Sequence, residues 1–188
     1  PIPFMDGNKI YFVRTYVDGT AKQIRQGQDI WSSERIDGNW NFAESLFDEV
    51  NDIGNNAVIG TSLDGNKVYI FNSVQSRRKK ARGIAFTEKN VDGEWSKLKK
   101  IELKGLEIGE GYYSFFINPT ENILLISMPP NPSTLDEDLF VSLKQADGTW
   151  GEVINLGTTI NTSNYEISPY IAEDGKTLFF SSNGHVGM

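Results

Sequence analysis

Side chains that could carry out catalysis are few in this sequence of 188 residues. Histidine occurs only at His185, close to the end of the sequence, and cysteine is absent. The absence of cysteine excludes disulfides, thiolate nucleophiles and Cys-ligated zinc. One histidine cannot assemble a histidine-rich metal site, and we expect no Ser-His-Asp set around it. Pairs of Asp and Glu could still hydrolyse a glycoside, although acidic residues are also expected in turns.

Two charged clusters could bind a ligand. Asp136, Glu137 and Asp138 supply oxygen atoms of the kind that calcium prefers, but they lack the spacing of an EF-hand, and we expect no cofactor. A basic cluster could bind an acidic protein partner or an anionic envelope polymer, or it could form a solvated hairpin loop. That cluster comprises Arg77, Arg78, Lys79, Lys80 and Arg82.

Composition narrows the choice of partner. The net charge is −7 and the pI is about 4.8, which argues against a nucleic-acid binder because such proteins neutralise phosphates with Lys and Arg. The longest apolar runs are only a few residues, so we expect no membrane-spanning segment. No signal peptide is visible, but the sequence opens at Pro1, and we expect it to be a processed or excised piece.

An Asp-Gly-x-Trp segment recurs three times and indicates an internal repeat. Its tryptophans are Trp40, Trp95 and Trp150, separated by two equal intervals of 55 residues. Each tryptophan follows a turn and is expected to pack between its strand and the next repeat. A row of rings that stacks on carbohydrate is the alternative.

A second Asp-Gly marker runs in phase with the first. It occurs as Asp6-Gly7, Asp64-Gly65 and Asp174-Gly175, each followed by an apolar run, whereas the third copy has Pro119-Thr120 at this place. Asp-Gly between two apolar runs predicts a β-hairpin with a type I′ turn, in which both central residues have positive φ.

Each repeat therefore reads as four antiparallel strands, A to D, and no segment is convincingly helical. Such a repeat predicts an all-β chain that folds as a β-propeller of four-stranded blades, with an open stack of sheets as the rival. Strand B is continuously apolar in every copy and should be covered on both faces. We expect residues 1–188 to form one propeller segment of about three and a half blades, part of a larger ring. Its blades are about 1–46, about 55–101, about 110–156 and, in part, about 164–188.

The two ends of such blades differ. Asp-Gly turns occupy one end, and longer, more varied loops occupy the other, at 15–28, 51–56, 73–82 and 128–137. Variable loops on a rigid scaffold are the usual place for binding. Four residues at the start of strand A, near the channel mouth, are candidates for binding a ligand, or else they satisfy backbone groups there. They are Glu110, Tyr112, Tyr165 and Glu166.

The segments 27–31 and 37–40 resemble the C–D half of the TolB-like, WD-like propeller repeat. Residues 150–157, 160–162, 166–169 and 174–182 look like its D–A–B half. This form of the repeat is common in envelope proteins of the Bacteroidetes, often beside tetratricopeptide repeats and a peptidoglycan-binding outer-membrane-protein-A-like domain. The resemblance covers nearly the whole chain and implies a periplasmic or outer-membrane-associated location.

These observations favour a non-catalytic propeller scaffold that binds a protein partner, or an envelope polymer, in a bacterial cell-envelope assembly. The alternative is a propeller that belongs to an enzyme, either gating a serine peptidase or acting on a glycan. We also expect missing parent residues or another chain to supply the remaining blades. Apolar faces around Tyr11 and Phe179 would otherwise lack a neighbour on one side, and the chain alone should then self-associate.

Overall fold

A computed structural model describes residues 2–3, 7–20, 23–46, 50–51, 55–76, 79–106, 108–109, 111–131 and 133–186. Within these ranges the protein is all-β, with antiparallel sheets and no helix, as the sequence predicts. The chain forms two compact units, Pro1–Ile101 and Glu102–Met188. Each unit contains two sheets.

The first unit begins with a five-stranded sheet in which β4 and β5 both pair with β3. Its strands are β1 (Ile2–Pro3), β2 (Lys9–Thr20), β3 (Gln23–Ile36), β4 (Asn39–Trp40) and β5 (Glu44–Ser45). The second sheet of this unit has four strands in sequence order. They are β6 (Ala57–Thr61), β7 (Lys67–Ser76), β8 (Lys79–Glu88) and β9 (Lys99–Ile101).

The second unit repeats this plan and ends with a two-stranded sheet. Its four-stranded sheet contains β10 (Ser114–Ile117), β11 (Ile123–Met128), β12 (Asp138–Leu143) and β13 (Ile154–Asn155). The closing pair is β14 (Glu166–Ile171) and β15 (Leu178–Ser182).

Two segments predicted to be loops, 15–28 and 73–82, are instead largely strand. Strands β2 and β3 stay paired as far as Thr20 with Gln23, and β7 and β8 as far as Ser76 with Lys79. Alternate residues of a paired strand point to opposite faces, so polar and basic side chains do not prevent strand pairing. Both loops are therefore long β-hairpins.

Turn type follows loop length. Asp37 and Gly38 both have positive φ, 51° and 82°, as a two-residue type I′ turn requires. At 64–65 and 174–175 only the glycine does, so the type I′ prediction is wrong there, and the turns at 92–93 and 147–148 likewise have positive φ only at the glycine. These turns hold three or four residues, and in three of them the Asp carboxylate accepts a backbone N–H two residues on. The pairs are Asp64 with Asn66, Asp147 with Thr149 and Asp174 with Lys176.

The third A–B turn replaces the missing Asp-Gly by other means. Glu121 occupies the position that glycine fills in the related turns, with a φ of 57°. The side-chain oxygen of Asn118 accepts the backbone N–H groups of Asn122 and Ile123, at 3.0 and 2.8 Å. This turn therefore keeps the hairpin while placing a non-glycine residue in the left-handed region.

A buried hydroxyl joins strand C to the strand D region in every complete repeat. In each case the hydroxyl donates to a backbone carbonyl eight or nine residues ahead. The donor and acceptor pairs are Ser33 with Asn41 at 2.8 Å, Thr87 with Ser96 at 2.7 Å and Ser142 with Gly151 at 2.9 Å. The three repeats therefore share this hydrogen bond as well as the order of their strands.

The core of the first unit lies between its two sheets. It contains Tyr11, Ile30, Leu46, Val50, Val68 and Ile70. In the second unit the rings of Phe116 and Tyr170 join the four-stranded sheet to β14, with centroids 4.9 Å apart.

The apolar strand B is buried in the two complete middle sheets. Val68, Tyr69 and Ile70 are buried, and so are residues 124–126, which confirms the predicted cover on both faces for these two copies only. Phe179 of the fourth copy is 56% exposed, in agreement with the expected lack of a neighbour there, whereas Tyr11 is buried because it packs in the core of the first unit.

The three repeat tryptophans occupy equivalent positions but differ in burial. Trp150 is 6% exposed, Trp95 packs partly buried against the core of the first unit, and Trp40 is 47% exposed. The expectation of burial is therefore wrong for Trp40. Each tryptophan lies opposite a basic residue of strand C, namely Arg35, Lys89 and Lys144.

Candidate functional site

A pocket of about 390 Å³ opens in the second unit at the ends of its strands. One wall is formed by residues 112–114, which lead into β10, and another by residues 165, 167 and 168 around the start of β14. Ser127 near the end of β11 and Glu137 just before β12 complete the lining. The pocket therefore lies at the end of the strands opposite the Asp-Gly turns, where the sequence predicts binding.

Backbone pairing brings these lining residues together. Ser114 and Ser127 are partners in the antiparallel pair of β10 and β11. The N–H of Glu166 donates to the carbonyl of Glu137 at 2.7 Å, and the hydroxyl of Ser127 donates to the carbonyl of Glu166 at 3.0 Å. The start of β14 is thus fixed beside the end of β11 and the start of β12.

Three tyrosines give the pocket an aromatic lining. Tyr113 is held in place, since its ring stacks on Phe115 at 6.3 Å between centroids and its hydroxyl accepts the N–H of Gly109 at 3.1 Å. Tyr112 is 82% exposed and Tyr165 is 37% exposed. Two predicted binding residues, Tyr112 and Tyr165, therefore line one pocket and present ring surface to solvent.

Two polar groups in the pocket have no partner in the described part of the chain. Glu137 is 8% exposed, and its carboxylate makes no hydrogen bond or ion pair with any other described residue. The hydroxyl oxygen of Ser114 is buried and likewise has no hydrogen-bond partner there. The Ser114 oxygen is enclosed, whereas the Glu137 carboxylate oxygens keep contact with solvent, so the carboxylate is the group suited to contact a bound molecule.

Glu166, the third of the strand A candidates that the structure describes, has a structural role instead. It is fully buried, and its carboxylate accepts hydrogen bonds from the Thr162 N–H at 2.9 Å, the Thr162 hydroxyl at 2.8 Å and the Ser182 hydroxyl at 2.6 Å. Burial by itself raises the pKa of Glu166, but these hydrogen bonds outweigh it and hold the pKa below its ordinary value. The side chain joins the start of β14 to the end of β15 and does not line the pocket.

The structure gives less on the remaining predicted residues. Lys79 and Lys80 lie in β8, and their role in binding stays a prediction. The Asp138 carboxylate accepts a hydrogen bond from Asn155 at 2.8 Å, and no three His, Cys, Asp or Glu side chains in the described ranges could share a metal ion. The predicted residues that lie outside the described ranges are Asp6, Arg77, Arg78 and Glu110.

His185 also has structural contacts. Its Nε2 lies 2.8 Å from the carbonyl oxygen of Ile160, and its ring meets Phe180 edge-on at 5.6 Å. It therefore holds the segment after β15 against the loop that precedes β14.

Sequence reasoning missed a pair of structural asparagines. The side chain of Asn51 bridges both backbone groups of Ile30, and the side chain of Asn161 does the same for Leu139. The two asparagines are 110 residues apart, twice the repeat interval. This spacing was the sequence signal that could have identified the two asparagines. It is interrupted because the second repeat has Leu106 at the corresponding position.

The two units differ in charge. Glu102–Met188 contains 12 acidic residues and 3 lysines, a net charge of −9, whereas Pro1–Ile101 contains 13 acidic and 15 basic residues, a net charge of +2. The pocket therefore belongs to the strongly acidic unit, which favours cationic ligands.

Comparison of the chain with protein-family models, with curated proteins and with solved structures found no match. Across the ranges that the structure describes, no helix has the length and apolar character needed to cross a membrane.

Proposed function

We propose that this chain is a segment of a β-propeller that acts as a non-catalytic scaffold and binds a protein partner in a bacterial cell-envelope assembly. The observation that carries the binding role is the pocket lined by Tyr112, Tyr165 and the unpaired Glu137. It lies at the end of the strands where loops vary between repeats, and such ends commonly bind partners.

The propeller architecture is supported by a contact that both units repeat. The N–H of Asn56 donates to the carbonyl of Gln28 at 2.8 Å, and the N–H of Glu166 donates to that of Glu137 at 2.7 Å. In each unit, strand A of the later sheet is thereby fixed beside strand C of the preceding sheet. In a radial ring of four-stranded blades, each blade lies beside the next one, so the same contact between neighbouring sheets recurs from blade to blade.

A non-catalytic role is supported by the chemistry of the pocket lining. Among the described residues that line it, Glu137 is the one carboxylate, whereas glycoside hydrolysis by the common mechanism needs two carboxyl groups that face each other. Tyrosine rings, serine residues and Ile167 complete this lining, which suits recognition. The envelope location is supported by the resemblance to the TolB-like repeat.

Site-specific photo-crosslinking in producing cells tests the proposal. A benzophenone side chain at position 112 should yield a discrete adduct with one protein, while the same group at the 98% exposed Phe42 of the first unit should not. Equal adduct patterns at both positions would mean that the pocket end is not the binding surface. If the chain hydrolysed a peptide or a glycan, and if Glu137→Gln abolished that activity, the scaffold proposal would be wrong and the protein would be an enzyme.

A further inference from the structure

The Tyr112–Tyr165 pocket combines aromatic walls with a carboxylate that has no partner among the described residues. We propose that it binds a single basic side chain of the partner protein, arginine in preference to lysine. This inference rests on the proposed function, because it names the group through which the partner would be held. It concerns the second unit alone.

Charge is the first reason. Glu137 is 8% exposed as a residue, yet its carboxylate oxygens keep contact with solvent and have no hydrogen bond or ion pair with another described residue. A carboxylate with restricted hydration and no partner gains from a cation that reaches it. No described lysine of the second unit forms a salt bridge with it, and that unit carries a net charge of −9. A cation supplied by a partner would form an ion pair with the carboxylate. The net negative charge of the unit would also attract that cation before contact.

The aromatic lining is the second reason. A guanidinium group is planar and weakly hydrated, stacks on aromatic faces and forms paired hydrogen bonds with a carboxylate. Tyr112 and Tyr165 expose ring surface, while Tyr113 is fixed by its contacts with Phe115 and Gly109. A lysine ammonium could use the same pocket, but it is a compact, strongly hydrated charge and gains less from the rings.

The shape of the guanidinium and the size of the pocket are the third reason. A guanidinium has five N–H donors in a fixed fork, so it can donate to both oxygens of one carboxylate at once. The volume of about 390 Å³ is at the small end of ligand pockets and suits one side chain.

Titration of the 188-residue chain with Nα-acetylarginine amide, followed by nuclear magnetic resonance, tests the inference. We expect a dissociation constant on the order of 1 mM, with shifted signals from residues 112–114, 127, 137 and 165–168. The neutral isostere Nα-acetylcitrulline amide should bind at least about tenfold more weakly, because it keeps the shape and loses the charge. Nα-acetyllysine amide should fall between the two.

Two variants and one matched control separate binding from folding. Glu137→Gln should weaken arginine binding at least about tenfold, whereas Glu152→Gln, which removes an exposed charge from the same unit, should leave it within about twofold. Tyr112→Leu should weaken binding several-fold without affecting the fold, since Tyr112 is 82% exposed. If Glu137 serves the ligand, Glu137→Gln should leave the melting temperature unchanged or raise it; a structural carboxylate would lower it.

Equal binding of arginine and citrulline amides, or full arginine binding by both Glu137→Gln and Tyr112→Leu, would overturn the inference. Lysine binding more tightly than arginine would contradict the predicted order. A protein adduct at position 112 together with no arginine binding would leave the scaffold function standing and refute this mode of recognition. The two proposals can therefore fail separately.

Discussion

Glu137 and Glu166 show how two glutamates joined by a backbone hydrogen bond can have opposite roles. Their backbones meet through the Glu166 N–H and the Glu137 carbonyl, yet one carboxylate accepts three hydrogen bonds and the other accepts none from the described residues. A satisfied buried carboxylate stabilises the fold, whereas an unsatisfied one is suited to a ligand.

The lowered pKa of Glu166 predicts acid sensitivity of the second unit. Because its folded pKa lies below its unfolded value of about 4.3, the carboxylate contributes stability that is fully present above that value. This contribution is lost as pH falls through the folded pKa. Urea unfolding at about pH 6 should show Glu166→Gln destabilised by ~1–3 kcal/mol, and at about pH 3 the difference from the parent chain should shrink.

A matched control isolates this effect. Asp64, Asp147 and Asp174 also have lowered pKa values from turn hydrogen bonds, so the whole chain loses stability in acid. Glu173→Gln, at an exposed position two residues after β14, should follow the parent chain at every pH. A difference for Glu166→Gln that stays constant from about pH 6 to about pH 3 would contradict the linkage.

For the pocket, the sequence predicted two of the tyrosines as binding residues but not the polar residues that line it with them. Tyr112 and Tyr165 were predicted because they hold equivalent places at the start of strand A. Glu137 was identified only as a possible calcium ligand, and Ser114 was missed. Their importance depends on the packing of β14 beside β11 and β12, which brings distant residues into one lining and cannot be read from local patterns.

At the scale of elements, strand positions followed from the repeat, while turn geometry did not. Asp-Gly pairs marked most of the A–B and C–D turns, but the number of residues between paired positions decides the turn type, and that number depends on register. The ends of the β2–β3 and β7–β8 hairpins were misread as loops because basic and polar residues there hid the pairing.

The A–B turn of the third repeat offers a direct test of turn chemistry. Glu121 has a φ of 57°, where an L-residue is strained and glycine is not. Glu121→Gly should therefore stabilise the chain by about 0.5–1 kcal/mol, measured by urea unfolding. Glu121→Ala removes the same side chain without relieving the backbone and should give no gain; equal stabilisation by both variants would show that φ is not the cause.

At the scale of the whole molecule, the interval of 55 residues identified the repeated sheets. It could not identify which copy of a repeated residue is buried, because equivalent residues have different surroundings. Trp40 and Trp150 hold the same place in their hairpins, yet Trp40 is half exposed and Trp150 is buried. The burial of a repeated residue therefore depends on tertiary packing, which the interval alone does not give.

This difference predicts unequal effects of removing the two rings. Trp150→Ala should cost ~3–5 kcal/mol, since it leaves a large cavity in a buried site, and Trp40→Ala should cost less than about 1 kcal/mol. Urea unfolding of the two variants measures both values. Similar losses would show that the two tryptophans are equally covered, contrary to their exposures.

The central claim is that the chain binds its protein partner at the end of the strands where the pocket opens. Hydrogen–deuterium exchange with the partner identified by crosslinking at position 112 tests it most directly. The account predicts slower exchange at residues 111–114, 127–131 and 165–168, and unchanged exchange in the turns at 118–123 and 145–149. Protection confined to those turns would place the partner at the opposite end of the strands and contradict the account.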